Sequence, residues 1–218
     1  MTSSEDYNTL SKDRTVERVY TSLCSQASDI NEHLPTLSKY AAKCESIFET
    51  GVRGVVSSWA FAHGLCRNGQ PVKRLFLNDI YPCDIKELVT ANNAMGTPIE
   101  LSHAWVNNLE LQLSSEFDLT FIDTWHVYGQ LKRELIKFAP LTRKYIILHD
   151  TTVDELHGET LRLGLDAQSQ SAATGIPVAE ITRGIWPAVE EFLDRSVEWE
   201  LHERFTNNNG LTVLARRT

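Results

Sequence analysis

The sequence predicts an α/β protein, a parallel sheet with helices on both faces that ends in an antiparallel hairpin. Three observations carry this reading. Apolar strand-like runs alternate with helical patterns five times between Ser46 and Asp150. Two of those runs end in an acid and a histidine: Phe121-Ile122-Asp123-Thr124-Trp125-His126, and Ile147-Leu148-His149-Asp150. The chain closes with two short β-like runs joined by Asn207-Asn208-Asn209-Gly210, a hairpin-turn composition. Ligands of open α/β sheets bind at the carboxyl edge of the strands. The two acid–histidine ends therefore point to one polar site at that edge, although an Asp after a strand also serves as a plain helix cap.

The elements follow in order. Residues 1–13 are polar and acidic and are expected as a flexible tail or linker. Residues 14–218 are expected as one domain, with a helical cover over 14–43. Within the cover, Val16, Val19, Tyr20 and Leu23 fall at helical spacing, and a second short helix starts at His33-Leu34-Pro35 and runs through Tyr40 and Ala41. Ser46-Ile47-Phe48-Glu49 is the first strand, and residues 55–66 are the first sheet-packing helix. Residues 74–80 form the second strand, ending at Asp79. Asp84-Ile85-Lys86-Glu87 has a capping-box pattern that opens the next helix. A weaker third strand spans 98–103, followed by an expected helix over 104–113. The fourth strand ends at Asp123, a helix spans 128–138, and the fifth strand ends at His149-Asp150. Residues 151–183 break the rhythm and carry the low-complexity run 167–175, so they are expected as a lid-like or mobile insertion. Pro187 suits the first turn of a final helix.

The charge balance is 21 Lys and Arg against 29 Asp and Glu, a formal −8, which argues against a nucleic-acid-binding surface. Cys24, Cys44, Cys66 and Cys83 form no C-x-x-C pair and no zinc-like spacing, as expected of reduced thiols. No apolar stretch is long enough for a membrane span and no signal-peptide pattern opens the chain. A cytoplasmic location is the expectation.

The turn after the first strand, Glu49-Thr50-Gly51-Val52-Arg53-Gly54, lacks a glycine needed for a dinucleotide fingerprint. That disfavours a nicotinamide-dependent oxidoreductase. With Ser57 after it, this turn resembles the E-x-G-x-x-x-G/S-x-S turn of class I S-adenosylmethionine-dependent methyltransferases. The similarity is greatest to the branch of macrocin and other sugar O-methyltransferases and cephalosporin-hydroxylase-like proteins. Asp79 matches the acid ending their second strand. Ile122, Asp123, His126 and Tyr128 match I-D-x-x-H-x-Y, and His149-Asp150-Thr151 matches the acid-bearing end of the fifth strand. Gly184-Ile185-Trp186-Pro187 and the asparagine run are also similar to glycan-modifying members.

The resemblance implies a Rossmann-like seven-stranded sheet in the order 3-2-1-4-5-7-6 with strand 7 antiparallel. It implies S-adenosyl-L-methionine as cofactor, with Glu49, Gly51, Arg53 and Ser57 near its methionine part. Asp79 would take the ribose, Ser102, His103 and Ala104 would border the adenine, and Asp123 and Trp125 would complete the site. The reaction would be methyl transfer to a sugar or glycan hydroxyl, such as that of a deoxyhexose like rhamnose. An alcohol needs a base or a metal to react at neutral pH. Relatives hold a divalent cation with an acid after strand 4 and two acids after strand 5, here Asp123, His149 and Asp150. Magnesium prefers oxygen ligands, and His149 shifts the preference toward manganese. The alternative is general-base catalysis by His149 or His126, oriented by Asp123 or Asp150. Both remain open. His33, Trp125, Tyr128, Trp186, Asn207 and Asn208 are the candidate acceptor contacts, and each has a purely structural alternative. A catalytically inactive module that binds cofactor or glycan is the second functional reading. Fusion to or association with glycosyltransferase domains, and a homodimer through the N-terminal helices, are arrangements compatible with the sequence.

Overall fold

The structure is a computed structural model that describes residues 4–217, with side chains from residue 15. The elements are α1 (Ser4–Ser25), a 3-10 turn (Asn31–His33), α2 (Leu34–Ala41), β1 (Ser46–Thr50), α3 (Val56–Arg67), β2 (Arg74–Asp79), α4 (Lys86–Asn93) and β3 (Glu100–Trp105). They continue with β4 (Phe117–Ile122), α5 (Tyr128–Phe138), β5 (Thr142–His149), α6 (Glu159–Arg162), α7 (Ala167–Thr174), α8 (Val178–Ile181), α9 (Trp186–Arg195), β6 (Trp199–Phe205) and β7 (Leu211–Arg216). The seven strands make one sheet in the order β3-β2-β1-β4-β5-β7-β6, with helices on both faces. β1, β2 and β3 run parallel, and β7 runs antiparallel to both β5 and β6. This is the order that the resemblance implies. No described helix is long and apolar enough to cross a membrane. None of the four cysteines is in a disulfide.

The chain divides into two compact units, 1–107 with 117–119 and 108–116 with 120–218. In the first unit β1 is buried at every position, as a strand covered on both faces should be. Phe48, Phe76 and Phe117 form a tilted aromatic cluster with centroids 5.6, 5.7 and 6.2 Å apart. α2 lies close on α3 because Gly64 has no side chain. A Cβ there would come within 2.4 Å of Ala41 Cβ and Ser38 O. A polar clasp joins the same helices to α1: His63 bridges Ser38 Oγ (2.6 Å) and Glu17 Oε2 (2.7 Å), and Tyr20 stacks on its ring.

In the second unit three glycines lock the segment after β5 to its neighbours. A Cβ on Gly129 would meet Ile176 at 2.5 Å, one on Gly158 would meet Ile181 O and Arg183 O at 2.9 Å, and one on Gly184 would meet Glu155 O at 2.4 Å. Val127, Ile176 and Ile181 form a small core against which Trp125 and Ala167 pack. Residues 151–183 thus hold three short helices rather than a bare loop. Asp166 caps α7 by accepting from the Gln168 and Ser169 amides, and Gly175 ends it in the left-handed region.

Three expectations differ from the structure. The first helix begins at Ser4 rather than near Thr15, so residues 4–13, expected in the tail or linker, are helical; residues 1–3 lie outside the described residues. The helix expected over 104–113 does not form. β3 stays in register with β2 as far as Asp79↔Trp105, and side chains then take the carbonyls a helix would use. Asn78 Nδ2 donates to Val106 O (2.9 Å) within the first unit, and Lys137 Nζ donates to Leu109 O (2.8 Å) within the second. Asp84 does not close a capping box. Its Oδ1 accepts from the Lys86 amide at 3.2 Å, and α4 starts without a side-chain cap.

Candidate active site

In the first unit the β1–α3 turn is shaped by backbone strain. Gly51 sits at φ 87°, and Arg53 and Val55 also have positive φ, 40° and 64°. A β-branched residue there is a true outlier, of the kind that gathers at functional sites. Glu49 is fully buried and its Oε1 accepts from Ser57 Oγ, so Ser57 aims the carboxylate. Asp79 Oδ2 accepts from the Arg53 amide (2.9 Å) and Oδ1 from the Tyr81 amide (3.1 Å), which ties the acid ending β2 to the glycine turn. The Arg53 guanidinium points away to Asp29 at 2.5 Å. Ser102, His103 and Ala104 are mid-strand positions of β3, because Trp105 is the partner of Asp79 in the register. The strand ends at Trp105. His33 is 1% exposed, so it lies in the core of the N-terminal cover.

The second unit gathers the acid–histidine ends. His126 Nε2 lies 3.1 Å from Asp123 Oδ1, and its Nδ1 lies 3.0 Å from Asp150 Oδ2, 3.6 Å from Glu159 Oε2 and 3.7 Å from Asp154 Oδ2. His149 Nδ1 approaches Asp123 Oδ1 at 3.3 Å and Asp150 Oδ1 at 3.4 Å. The donor atoms of Asp123, His126 and Asp150 lie within 4.8 Å of one another, close enough to share a metal ion. His126 thus joins Asp123 and Asp150 in a group that could hold an ion, and His149, the imidazole that the sequence reading takes as third ligand, lies beside the same two acids. His149 contacts the same two acids from the end of β5, with a side chain 1% exposed against 13% for His126 on the turn after β4.

The electrostatics follow from this packing. Burial pushes the Asp123 carboxyl up, but His149 and His126 outweigh it and hold Asp123 well below the usual range. Burial disfavours a proton on His126, yet Asp123, Glu159 and Asp150 raise it well above its ordinary value. His149 is raised in the same way by Asp123 and Asp150 against burial. Burial is the largest influence on Asp150, which is raised. As arranged, His126 is set between two carboxylates that favour a proton on it.

The site is supported by residues that sequence reasoning missed. Asp154 is 0% exposed and forms a two-pronged pair with Arg162 at 2.7 and 2.8 Å. Its amide donates to Asp150 O, so the four-residue spacing in Asp150-Thr-Thr-Val-Asp154 was a readable signal. Glu159 and His126 are joined twice. The Glu159 amide donates to His126 O (3.0 Å), and the His126 amide donates to Glu159 Oε2 (3.2 Å). Asp150 itself sits at φ 57°. The asparagine turn helps to hold it there: Asn209 O accepts from the Thr152 and Val153 amides at 2.9 and 3.0 Å, and Gly210 O accepts from the Thr151 amide at 3.4 Å.

The expected acceptor contacts are differently employed. Tyr128 donates its hydroxyl to Glu191, accepts from Lys132 Nζ at 2.9 Å, and carries the Arg183 guanidinium 4.4 Å above its ring. Trp186 has Arg204 3.4 Å over its ring and donates to Glu190 at 2.9 Å. Both aromatic faces are occupied by cations, an attraction the ring quadrupole explains. Asn207 and Asn208 shape the β6–β7 turn; Asn207 O accepts from the Gly210 amide at 2.8 Å.

No protein-family model and no curated protein sequence matches the chain. Solved structures do. The O-methyltransferase TomG from Streptomyces achromogenes matches with a TM-score of 0.55 at 12% identity, over 95% of this chain and 90% of its own. The N-methyltransferase NodS from Bradyrhizobium japonicum matches at 0.54 and 12% identity, over 86% and 94%. The methyltransferase PaMTH1 from Podospora anserina matches at 0.53 and 14% identity, over 93% and 88%.

The chain has the class I methyltransferase fold.

In this methyltransferase fold the strongest polar cluster of the second unit stands directly after β4 and β5. The buried His126 Nδ1 and Asp150 Oδ1 have no well-aligned hydrogen-bond partner among the described residues. Polar atoms left in that condition are costly, and a ligand or cation would relieve them.

Proposed function

We propose that the protein is an S-adenosylmethionine-dependent O-methyltransferase whose reacting centre is Asp123, His126 and Asp150. The observation that carries this is the convergence of those three side chains at the ends of β4 and β5 of a methyltransferase sheet. TomG and PaMTH1 are described with S-adenosylmethionine and S-adenosylhomocysteine bound, which supports that cofactor here. The cofactor, when bound, supplies a methyl group on a positively charged sulfur. The donor set of the first unit suits it. Asp79 retains acceptor capacity for ribose hydroxyls beyond the amides it already takes, and the Ser57-oriented Glu49 carboxylate suits an amino group.

The acceptor hydroxyl loses its proton as its oxygen takes the methyl carbon and the carbon–sulfur bond breaks. That oxygen is then becoming a protonated ether, a strong acid, so a weakly basic carboxylate suffices to receive the proton. Asp123 has the most exposed side chain of the cluster, 18% against 13% for His126 and 10% for Asp150, and is the natural recipient. In the metal-free site His126 orients Asp123 and Asp150, and a proton on it balances their charge; a bound cation would take the place of that proton. The unaligned Asp150 Oδ1 and His126 Nδ1 fit a divalent cation, which Asp123, His126 and Asp150 would hold. It would supply positive charge beside the acceptor oxygen. An imidazole with two carboxylates favours manganese over magnesium.

The acceptor class is a sugar or glycan hydroxyl, supported by the series Glu49–Ser57, Ile122–Tyr128 and His149–Thr151. Trp125 is the aromatic candidate left to it, because Tyr128 and Trp186 are stacked by arginines. A thermal-shift titration with S-adenosylhomocysteine, with EDTA and then with manganese or magnesium, tests the reading. Binding raises apparent stability by mass action, about 2.7 kcal/mol at a hundredfold excess over Kd. A shift with the cofactor product supports the reading, and a further rise with manganese supports the cation. No shift under any condition removes the reading. Labelled methyl transfer to a panel of glycosides then identifies the acceptor.

A further inference from the structure

Glu134 is a buried acid that the mechanism above does not use. It lies on α5 and is 0% exposed. Its Oε1 accepts from Asn108 Nδ2 at 2.7 Å and from Gln130 Nε2 at 2.8 Å, and Thr124 Oγ1 lies 2.9 Å from both carboxylate oxygens. A buried carboxylate gives little stability over an apolar residue of the same shape, even when paired. A fully satisfied one does hold its partners in a unique arrangement. Only Gln130 belongs to the same helix. Asn108 comes from the connection before β4, and Thr124 is the residue directly between Asp123 and the Trp125-His126 pair. A cavity of about 10 Å³, room for one water at most, is lined by Thr124, Glu134, His126 and His149.

We propose that Glu134 is a positioning residue. Through Thr124 it holds the Asp123–His126 turn in the geometry that sets His126 against Asp123 and Asp150. The inference rests on the methyl-transfer reading for its consequence in catalysis, and on geometry alone for its structural claim.

The test uses the full chain and three substitutions. Thr124→Val keeps the shape and removes the hydroxyl, Thr124→Ser keeps the hydroxyl, and Glu134→Gln turns an acceptor oxygen into a donor facing other donors. Thr124→Val leaves Glu134 its two amide donors, so it keeps the test valid where Glu134→Gln does not fold. Two quantities are read: the imidazole NMR signals of His126, which need no cofactor, and kcat with KM for methyl transfer. Thr124→Val is expected to shift the His126 signals and to lower kcat about tenfold or more with KM little changed, as expected when a reacting group is displaced. Thr124→Ser is expected to restore both, and combining Thr124→Val with Glu134→Gln is expected to add little. His126 signals that stay put in folded Thr124→Val protein overturn the inference. Should the signals move and return with serine while wild-type protein transfers no methyl group, the positioning role stands and the methyl-transfer reading is what fails.

Discussion

His126 Nδ1 lies 3.0 Å from Asp150 Oδ2, and Asp150 reaches that contact from a backbone in the left-handed region, at φ 57°. A non-glycine residue held there is stabilised by its surroundings rather than by its own preference. The asparagine turn that binds the Thr151–Val153 amides supplies that hold.

Asp150→Asn and Asp150→Ala separate charge from backbone. Asparagine tolerates positive φ, so Asp150→Asn is expected to fold with nearly the wild-type melting temperature and to lose most methyl transfer. Asp150→Ala is expected to lose about 1 kcal/mol more, because a Cβ without a local hydrogen bond is disfavoured in that region. Urea unfolding of the two variants side by side measures the difference. Equal stabilities would show that the φ value carries no strain.

Removing His126 leaves Asp123 and Asp150 facing each other. His126→Ala is expected to cost about 2 kcal/mol, below the range for breaking a fully buried pair because the side chains retain some exposure. Manganese is expected to return part of that loss by neutralising the two acids, which differential scanning calorimetry with and without the ion will show. An unchanged melting temperature in His126→Ala would count against the ion cluster.

The pH dependence has two limbs of opposite sign. Asp123 and Glu159 bind a proton less readily folded than unfolded. Their stabilisation is present above the unfolded carboxylate value, about 4, and is lost as pH falls toward their lowered values. His126 and His149 bind a proton more readily folded. Their contribution is complete below about pH 6.5 and fades as pH rises through their raised values. Stability is therefore expected to peak between these limbs in the metal-free protein. In Asp123→Asn the acid limb is expected to shrink. Melting temperatures in EDTA, from well below the ordinary carboxylate value of about 4 to well above the ordinary imidazole value of about 6.5, check both.

The segment 151–183 is held by glycines at close approach. Gly184→Ala places a Cβ 2.4 Å from Glu155 O, where rigid backbone must give. The expected cost is about 1–3 kcal/mol, typical of overpacking, with faster proteolysis between α6 and α8. Gly69→Ala, where nothing lies within 4 Å, is the control and is expected to leave cleavage unchanged. Equal cleavage in both would show that the segment is not docked through Gly184.

Much of this protein was determined by sequence alone because the signals are local. The β1, β2, β4 and β5 runs are short apolar stretches with acids at their ends, α5 has helical periodicity from Tyr128 to Phe138, and Asn207–Gly210 reads as a turn. The series from Glu49 to Thr151 also carried the resemblance that implied the strand order. Residues 104–113 misled because their pattern fits more than one structure and the deciding donors, on Asn78 and Lys137, lie far away in the chain. Tertiary structure alone brought both His126 and His149 within reach of Asp123 and Asp150. It alone placed Arg183 over Tyr128 and Arg204 over Trp186. It alone brought Glu159 and Glu134 to support the site. Such pairings join side chains 8 to 63 residues apart, and their geometry is set by strand register and helix approach, which no local pattern encodes.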